Sequence, residues 1–180
     1  MKDISMKICI LGDAAVGKTT IIHKYCTGEF IDSYEATLGA GFLEHEINGE
    51  IIDSKYKGYK IHLNIYDIAA QTSYNFLLDM YTTGLHGYFL AFSVDNPVSL
   101  DNIEKWKEKI TELNPEIADV PYIIIGTKED IQSQVPKEKI EETEKKFNKK
   151  IIMTSSKADK NVNNVFNTLT KMILDEFDDL

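Results

Sequence analysis

The sequence predicts an α/β fold: a doubly wound, mostly parallel six-stranded sheet with one antiparallel edge strand. Three observations carry that expectation. Short apolar runs recur at Lys7 to Leu11, Tyr88 to Val94, Tyr122 to Ile125 and Ile151 to Met153, and strands that are apolar throughout are those a parallel sheet covers on both faces. Helical patterns fall between these runs, so strand and helix alternate. One segment differs: Ile61, Leu63 and Ile65 alternate with His62, Asn64 and Tyr66. That is the pattern of a half-exposed strand, expected to pair antiparallel with the stretch from Phe42 to Ile47.

The elements follow in order. The first strand runs into a glycine-rich turn that opens a helix carrying Ile21, Ile22 and Tyr25. Gly49 to Gly58, with its charged Asp53, Lys55 and Lys57, reads as a long, exposed hairpin connection. Ile103, Trp106, Ile110 and Leu113 share one helical face, and Pro115 helps end that helix. From Lys137 to Lys146 the charges pair at i,i+4 as Glu141 with Lys145 and Glu142 with Lys146, so this helix presents a solvated face. Val162, Val165, Phe166, Leu169, Met172 and Ile173 form a wider stripe on the last helix. No repeat or linker interrupts the 180 residues, which are expected to form a single domain, 1–180.

Composition narrows the function classes. Hydrophobic residues make up 43% and charged residues 27%, ordinary for a soluble globular chain. The formal net charge is −9, and all 20 basic residues are lysine. An acidic chain without arginine is a poor candidate for reading nucleic acid or docking on anionic membranes, and the acidic stretch from Asp175 to Asp179 reinforces the second point. Cys9 and Cys26 are too few for a disulfide framework and lack zinc spacing; with no apolar run long enough to span a bilayer, a cytoplasmic location is expected. Lys2 is incompatible with N-myristoylation, and Phe177-Asp178-Asp179-Leu180 is not a prenylation box, so no direct membrane anchor is expected. His23, His45, His62 and His86 are scattered, and His45 and His62 read as surface residues rather than as a facing pair.

The strongest motif is Gly12-Asp13-Ala14-Ala15-Val16-Gly17-Lys18-Thr19, which fits G-x-x-x-x-G-K-[ST] and lies between a strand and a helix, as that P-loop motif requires. Glycines let the backbone turn its N–H groups onto a phosphate chain. The helix N-terminus adds partial positive charge. Lys18 supplies a full charge to the β- and γ-phosphates, and the Thr19 hydroxyl ligates Mg²⁺. The motif alone gives a nucleoside triphosphate but not its base.

Further polar segments narrow it. Phe30 to Gly39 forms a loop able to reach the phosphates. Asp67-Ile68-Ala69-Ala70-Gln71, Gly126-Thr127-Lys128-Glu129-Asp130 and Thr154-Ser155-Ser156-Lys157 each follow a strand candidate. The carboxyl ends of strands are where open α/β sheets bind ligands. With these motifs in this order, nearly the whole chain, from about Lys7 onward, resembles a Ras-superfamily small GTPase, most closely the Rab/Ras-like branches. Relative to that family, extra residues fall in the Gly49 to Gly58 hairpin.

The resemblance implies a P-loop NTPase fold with about five helices, GTP or GDP and Mg²⁺ as ligands, and a monomeric molecular switch. Asp13, Ala14, Ala15, Val16, Gly17, Lys18, Thr19 and Thr20 would surround the phosphates. Phe30 would pack edge-on against the base, and Tyr34 would be among the nucleotide-binding residues. Thr37 would use its hydroxyl on Mg²⁺ and its N–H on the γ-phosphate; Asp67 would hold Mg²⁺ through water; Gln71 would orient the attacking water. Asp130 would accept the guanine N1 and N2 hydrogens, with Lys128 along the base plane. The Ser156 N–H would meet guanine O6, and Ser155 and Lys157 would brace that loop. Effector, exchange-factor and GTPase-activating proteins would read the two switch loops.

The chain also departs from the family pattern. Ala70 stands where D-x-x-G has glycine, which restricts φ and damps the on/off movement. Thr72 replaces the usual acidic residue, Ala36 the frequent proline, and Thr127 the common asparagine. Ala14 crowds the catalytic glutamine. Without arginine there is no finger in cis, so slow hydrolysis is expected. Two rival readings remain: a GTP-bound interaction module that barely hydrolyses, motivated by Ala70 and Ala14, and a P-loop nucleotide kinase, disfavoured because its acceptor site is usually arginine-lined.

Overall fold

The computed structural model describes residues 2–32, 40–69 and 75–178. Strand β1 (Lys2–Gly12) leads into helix α1 (Lys18–Thr27). Strands β2 (Ala40–Asn48) and β3 (Tyr59–Ile68) flank a one-turn helix α2 (Gly49–Ile52) and a 3₁₀ turn (Ser54–Tyr56). Then follow α3 (Asn75–Thr82), β4 (Gly87–Ser93), the short α4 (Pro97–Asp101), α5 (Ile103–Leu113), a 3₁₀ turn (Pro115–Asp119), β5 (Tyr122–Thr127), α6 (Lys137–Phe147), β6 (Ile151–Met153) and α7 (Val162–Asp178). The sheet order is β2-β3-β1-β4-β5-β6. Strand β2 runs antiparallel to β3, and all the other pairings are parallel. The expected fold class is therefore the observed one, with five helices of eight residues or more among the described residues.

Strand periodicity divides the core into two layers. Met6, Ile8 and Ile10 of β1 point to one face, where they join Ile61, Leu63 and Ile65 of β3 under α1 (Ile21, Ile22, Tyr25) and α7 (Val165, Phe166, Leu169, Ile173). Cys9 and Leu11 point to the other, with Tyr88, Leu90 and Phe92 under Leu78, Ile103, Trp106 and Ile110. Helix α1 stops because Gly28 takes φ 77°, and its N–H closes on the Lys24 carbonyl. Pro115 opens the 3₁₀ turn just beyond α5, whose last turn is closed by the Asn114 N–H on Ile110.

The antiparallel pairing has Phe42 opposite Tyr66 and Ile47 opposite Ile61. His45 faces Leu63 and His62 faces Glu46, so the two histidines sit on opposite faces; His45 packs on the Tyr25 ring at 4.5 Å. Helix α6 buries no residue, as its charge pattern predicts. Its lysines reach beyond the helix, however: Lys139 to Asp101 at 2.6 Å and Lys146 to Glu104 at 2.5 Å.

The connection near 49–58 is less exposed than its charges suggest. Gly49 and Tyr56 are buried. A Cβ on Gly49 would lie 2.4 Å from the Tyr56 carbonyl oxygen, so only glycine fits. The Tyr56 hydroxyl donates to Asp175 (2.9 Å), Lys55 pairs with Asp175 (2.7 Å) and Lys171 with Asp53 (2.5 Å). The segment is a clasp on α7.

Candidate functional site

Register brings the polar loops to one edge. In the parallel ladders Gly12 pairs with Ala91, Ile10 with Asp67, Ser93 with Thr127 and Gly126 with Met153. The turns that follow β1, β4, β5 and β6 therefore leave from the same rim, at the point where chain order reverses around β1.

The turn after β1 is held in sparsely populated backbone regions. Gly12 has φ 151°, and a Cβ there would come within 2.2 Å of the Ala91 carbonyl oxygen. Gly17, capping α1, has φ 92°. Ala15 has φ 61°, a left-handed conformation that costs a residue with a Cβ about 1 kcal/mol. Ala14 and Ala15 are exposed at the mouth and Val16 is buried.

Lys18 is only 7% exposed. Its Nζ donates to the carbonyls of Gly12 (2.9 Å) and Asp13 (2.7 Å). Burial lowers its pKa to about 8, partly opposed by the charges of Asp67 and Asp13. A desolvated ammonium of this kind is stabilised by an incoming anion. The exposed Thr19 donates its hydroxyl to the buried carboxylate of Asp67. One hydroxyl and one carboxylate suit Mg²⁺, which keeps waters and takes few protein ligands. No cluster of three or more His, Cys, Asp or Glu able to hold a metal occurs among the described residues. Thr20 is half-buried on α1.

The far side of the rim is braced from below. The buried Thr127 hydroxyl lies within hydrogen-bond reach of the Val16 and Phe92 carbonyls, tying the turn after β5 to the turn after β1. Lys128 has φ 61° and donates to Asp95 at 3.0 Å, which also accepts from Ser93. Asp130 is exposed, and its Oδ1 accepts from the Ser155 hydroxyl at 2.6 Å. Ser155 is fully buried and is itself fixed by the Ala158 N–H (2.9 Å) and by paired backbone bonds with Lys160. Ser156 is half-buried and Lys157 exposed beside it. Phe30 is 38% exposed after α1 and does not join the core. Tyr34, Thr37, Ala70 and Gln71 lie outside the described residues.

Some residues on this rim escape sequence reading. Asp95 follows the apolar run of β4, which is the same signal that marked the other turns. The Asp13 carboxylate turns away from the loop and accepts from Asn102 Nδ2 (2.7 Å) and Trp106 Nε1 (2.8 Å). The one available hint was that a half-hidden indole N–H needs an acceptor.

A rim with a buried lysine, a hydroxyl–carboxylate pair and a second turn locked to the first is what the sequence likeness requires. Residues 7–175 match the sequence model of the Ras family. The chain belongs to the Ras family. Ras-related protein Rab-8A of Pongo abelii is 32% identical over 178 residues, covering 98% of this chain and 82% of the relative. Rab-8A of Bos taurus matches to the same extent. This Ras-family chain is thus a Rab-like small GTPase, a class that binds guanine nucleotide and hydrolyses GTP. No helix among its described residues is long and apolar enough to cross a membrane.

Proposed function

We propose that this chain is a GTP/GDP-dependent switch that holds guanine nucleotide with Mg²⁺ on the rim described above and hydrolyses GTP slowly. The observation that carries the proposal is the buried Lys18 ammonium facing the strained turn from Gly12 to Gly17, with Thr127 joining that turn to the segment bearing Asp130. Backbone N–H groups of this turn and Lys18 bind the phosphate chain. Thr19, Asp67 and, from the segment outside the described residues, Thr37 hold Mg²⁺, which when bound neutralises phosphate charge. Asp130, kept in place by Ser155, accepts from guanine; adenine would leave that carboxylate facing no donor pair. Gln71 orients the water. Lys128, Ser156 and Lys157 line the base, with Phe30 and Tyr34 at its edge.

Slow turnover follows from the residues around the mouth. Ala14 adds a methyl group there, Ala70 restricts the loop that follows Asp67, and the chain supplies no guanidinium. Partner proteins would read the segments 33–39 and 70–74. Close to them in sequence, Phe42, Phe76 and Met80 are exposed, and Phe42 packs on Tyr66 at 5.2 Å and Tyr66 on Tyr81 at 5.4 Å. Exposed apolar side chains suit a protein partner. The free thiols of Cys9 and Cys26 fit a reducing cytoplasm.

Single-turnover phosphate release from the GTP-loaded chain tests this reading. Slow release that Ala70→Gly accelerates supports a damped switch. Fast release by the wild type contradicts slow hydrolysis, and no release from either protein favours the interaction module. Stabilisation by ATP as strong as by GTP would revive the kinase reading.

A further inference from the structure

The most specific contact that nucleotide binding leaves unexplained is the one between the phosphate-loop turn and α5. Asp13 lies one residue after Gly12 and two before Ala15, between two positions with positive φ. Its side chain does not face the loop's interior. Oδ2 accepts from the side-chain amide of Asn102 at 2.7 Å, and Oδ1 accepts from the indole N–H of Trp106 at 2.8 Å. Both donors are neutral side chains, an amide and an indole, so neither adds a positive charge beside the carboxylate. Both lie at the start of α5, where Asn102 is the cap residue and the Trp106 N–H closes the first turn on the Asn102 carbonyl. A helix N-terminus favours a negative charge. Trp106 is only 8% exposed, so the anchor stands on a packed element.

Two consequences follow for a loop that must receive phosphates. A carboxylate turned inward would repel a polyphosphate; with both oxygens engaged outward, that charge is kept away. The strained turn also needs an external restraint if its N–H groups are to remain aimed, and a doubly bonded carboxylate supplies one. We propose that Asn102 and Trp106 are positioning residues for the nucleotide phosphates: acting through the Asp13 carboxylate, they hold the turn after β1 in its binding shape, and their loss speeds nucleotide release. This inference rests on the guanine-nucleotide reading above.

The test is the release rate of GDP carrying a fluorophore on its ribose, from wild type and from Asn102→Ala, Trp106→Phe and Asp13→Ala. Asn102→Ala and Trp106→Phe each remove one charge-assisted bond and Asp13→Ala removes both, and release is expected to accelerate at least about tenfold in each. Asn102→Ala placed in the Asp13→Ala background should add little, because both act through one carboxylate. Ile110→Val trims the buried face of the same helix without touching Asp13, and should lower the melting temperature with release unchanged. Trp106 is the only tryptophan in the chain, so Asp13→Ala should also shift intrinsic emission in the nucleotide-free protein. If Trp106→Phe fails to fold, Asn102→Ala and Asp13→Ala carry the test alone. Wild-type release rates in those two variants would overturn the proposal, as would full additivity or equal acceleration by Ile110→Val. A wild type that takes up no GDP removes the nucleotide reading as well, whereas a wild type and variants that all hold GDP equally well remove only this one.

Discussion

Tyr88 is fully buried in the middle of the sheet, stacked on Tyr122 with ring centroids 5.1 Å apart, and its hydroxyl has no hydrogen-bond partner among the described residues. Burying an unmatched hydroxyl costs more than burying the bare ring. Tyr88→Phe is therefore expected to stabilise the chain by about 1 kcal/mol, read as a higher midpoint in urea. The cysteines give a second residue-scale expectation. Burial pushes the Cys26 thiol up to about 11 and raises Cys9 further. The thiolate is the reactive form, so iodoacetamide labelling of the native protein at pH 8 should run about a hundredfold slower than that of an ordinary thiol. It should then rise about tenfold per pH unit until pH nears 11, with Cys26 reacting first; rapid labelling at pH 8 contradicts that burial. Legibility at this scale depended on whether a residue belongs to a motif with a stated chemistry. Lys18, Thr19 and Asp67 do, and they meet. Asp13 occupies a free position of the glycine-rich pattern, and only the packing of α5 decides which way its carboxylate turns. Asp130 is exposed, and its carboxylate is fixed by the Ser155 hydroxyl, a partner 25 residues away that no local pattern reveals.

At the scale of elements, periodicity was informative wherever burial was simple. The apolar runs became β1, β4, β5 and β6, and the alternating segment became β3 with β2 on its outer side. The clasp on α7 was read as an exposed connection because its charges look solvated when taken locally. Their partners are 118 and 120 residues away: Lys171 for Asp53 and Asp175 for Lys55. No local pattern carries such pairings. The apolar anchor of the clasp is Tyr56, 3% exposed, with Tyr59 edge-on at 6.0 Å. Tyr56→Ala should cost about 3 kcal/mol, measured by chemical denaturation. A loss near zero would mean that the clasp contributes nothing to the packing of α7.

For the molecule as a whole, an acidic chain of net charge −9 buries the Lys18 ammonium beside one sheet edge, against the sign of its net charge. Apart from Phe30, which follows α1, the groups assigned to nucleotide binding within the described residues lie at the ends of β3 and β5, in the turns leaving that edge or in the first turn of α1. On the proposed reading, specificity for the base is then a property of the assembled rim rather than of any one turn, since Asp130 is far in sequence from the phosphate loop and follows Thr127, whose hydroxyl ties the two turns together at the Val16 carbonyl. The most direct measurement is a calorimetric titration of nucleotide-stripped protein with GDP and with ADP, each in Mg²⁺. The rim described here predicts GDP binding at least about a thousandfold tighter than ADP. Equal affinity for the two, or heat from neither, would contradict it.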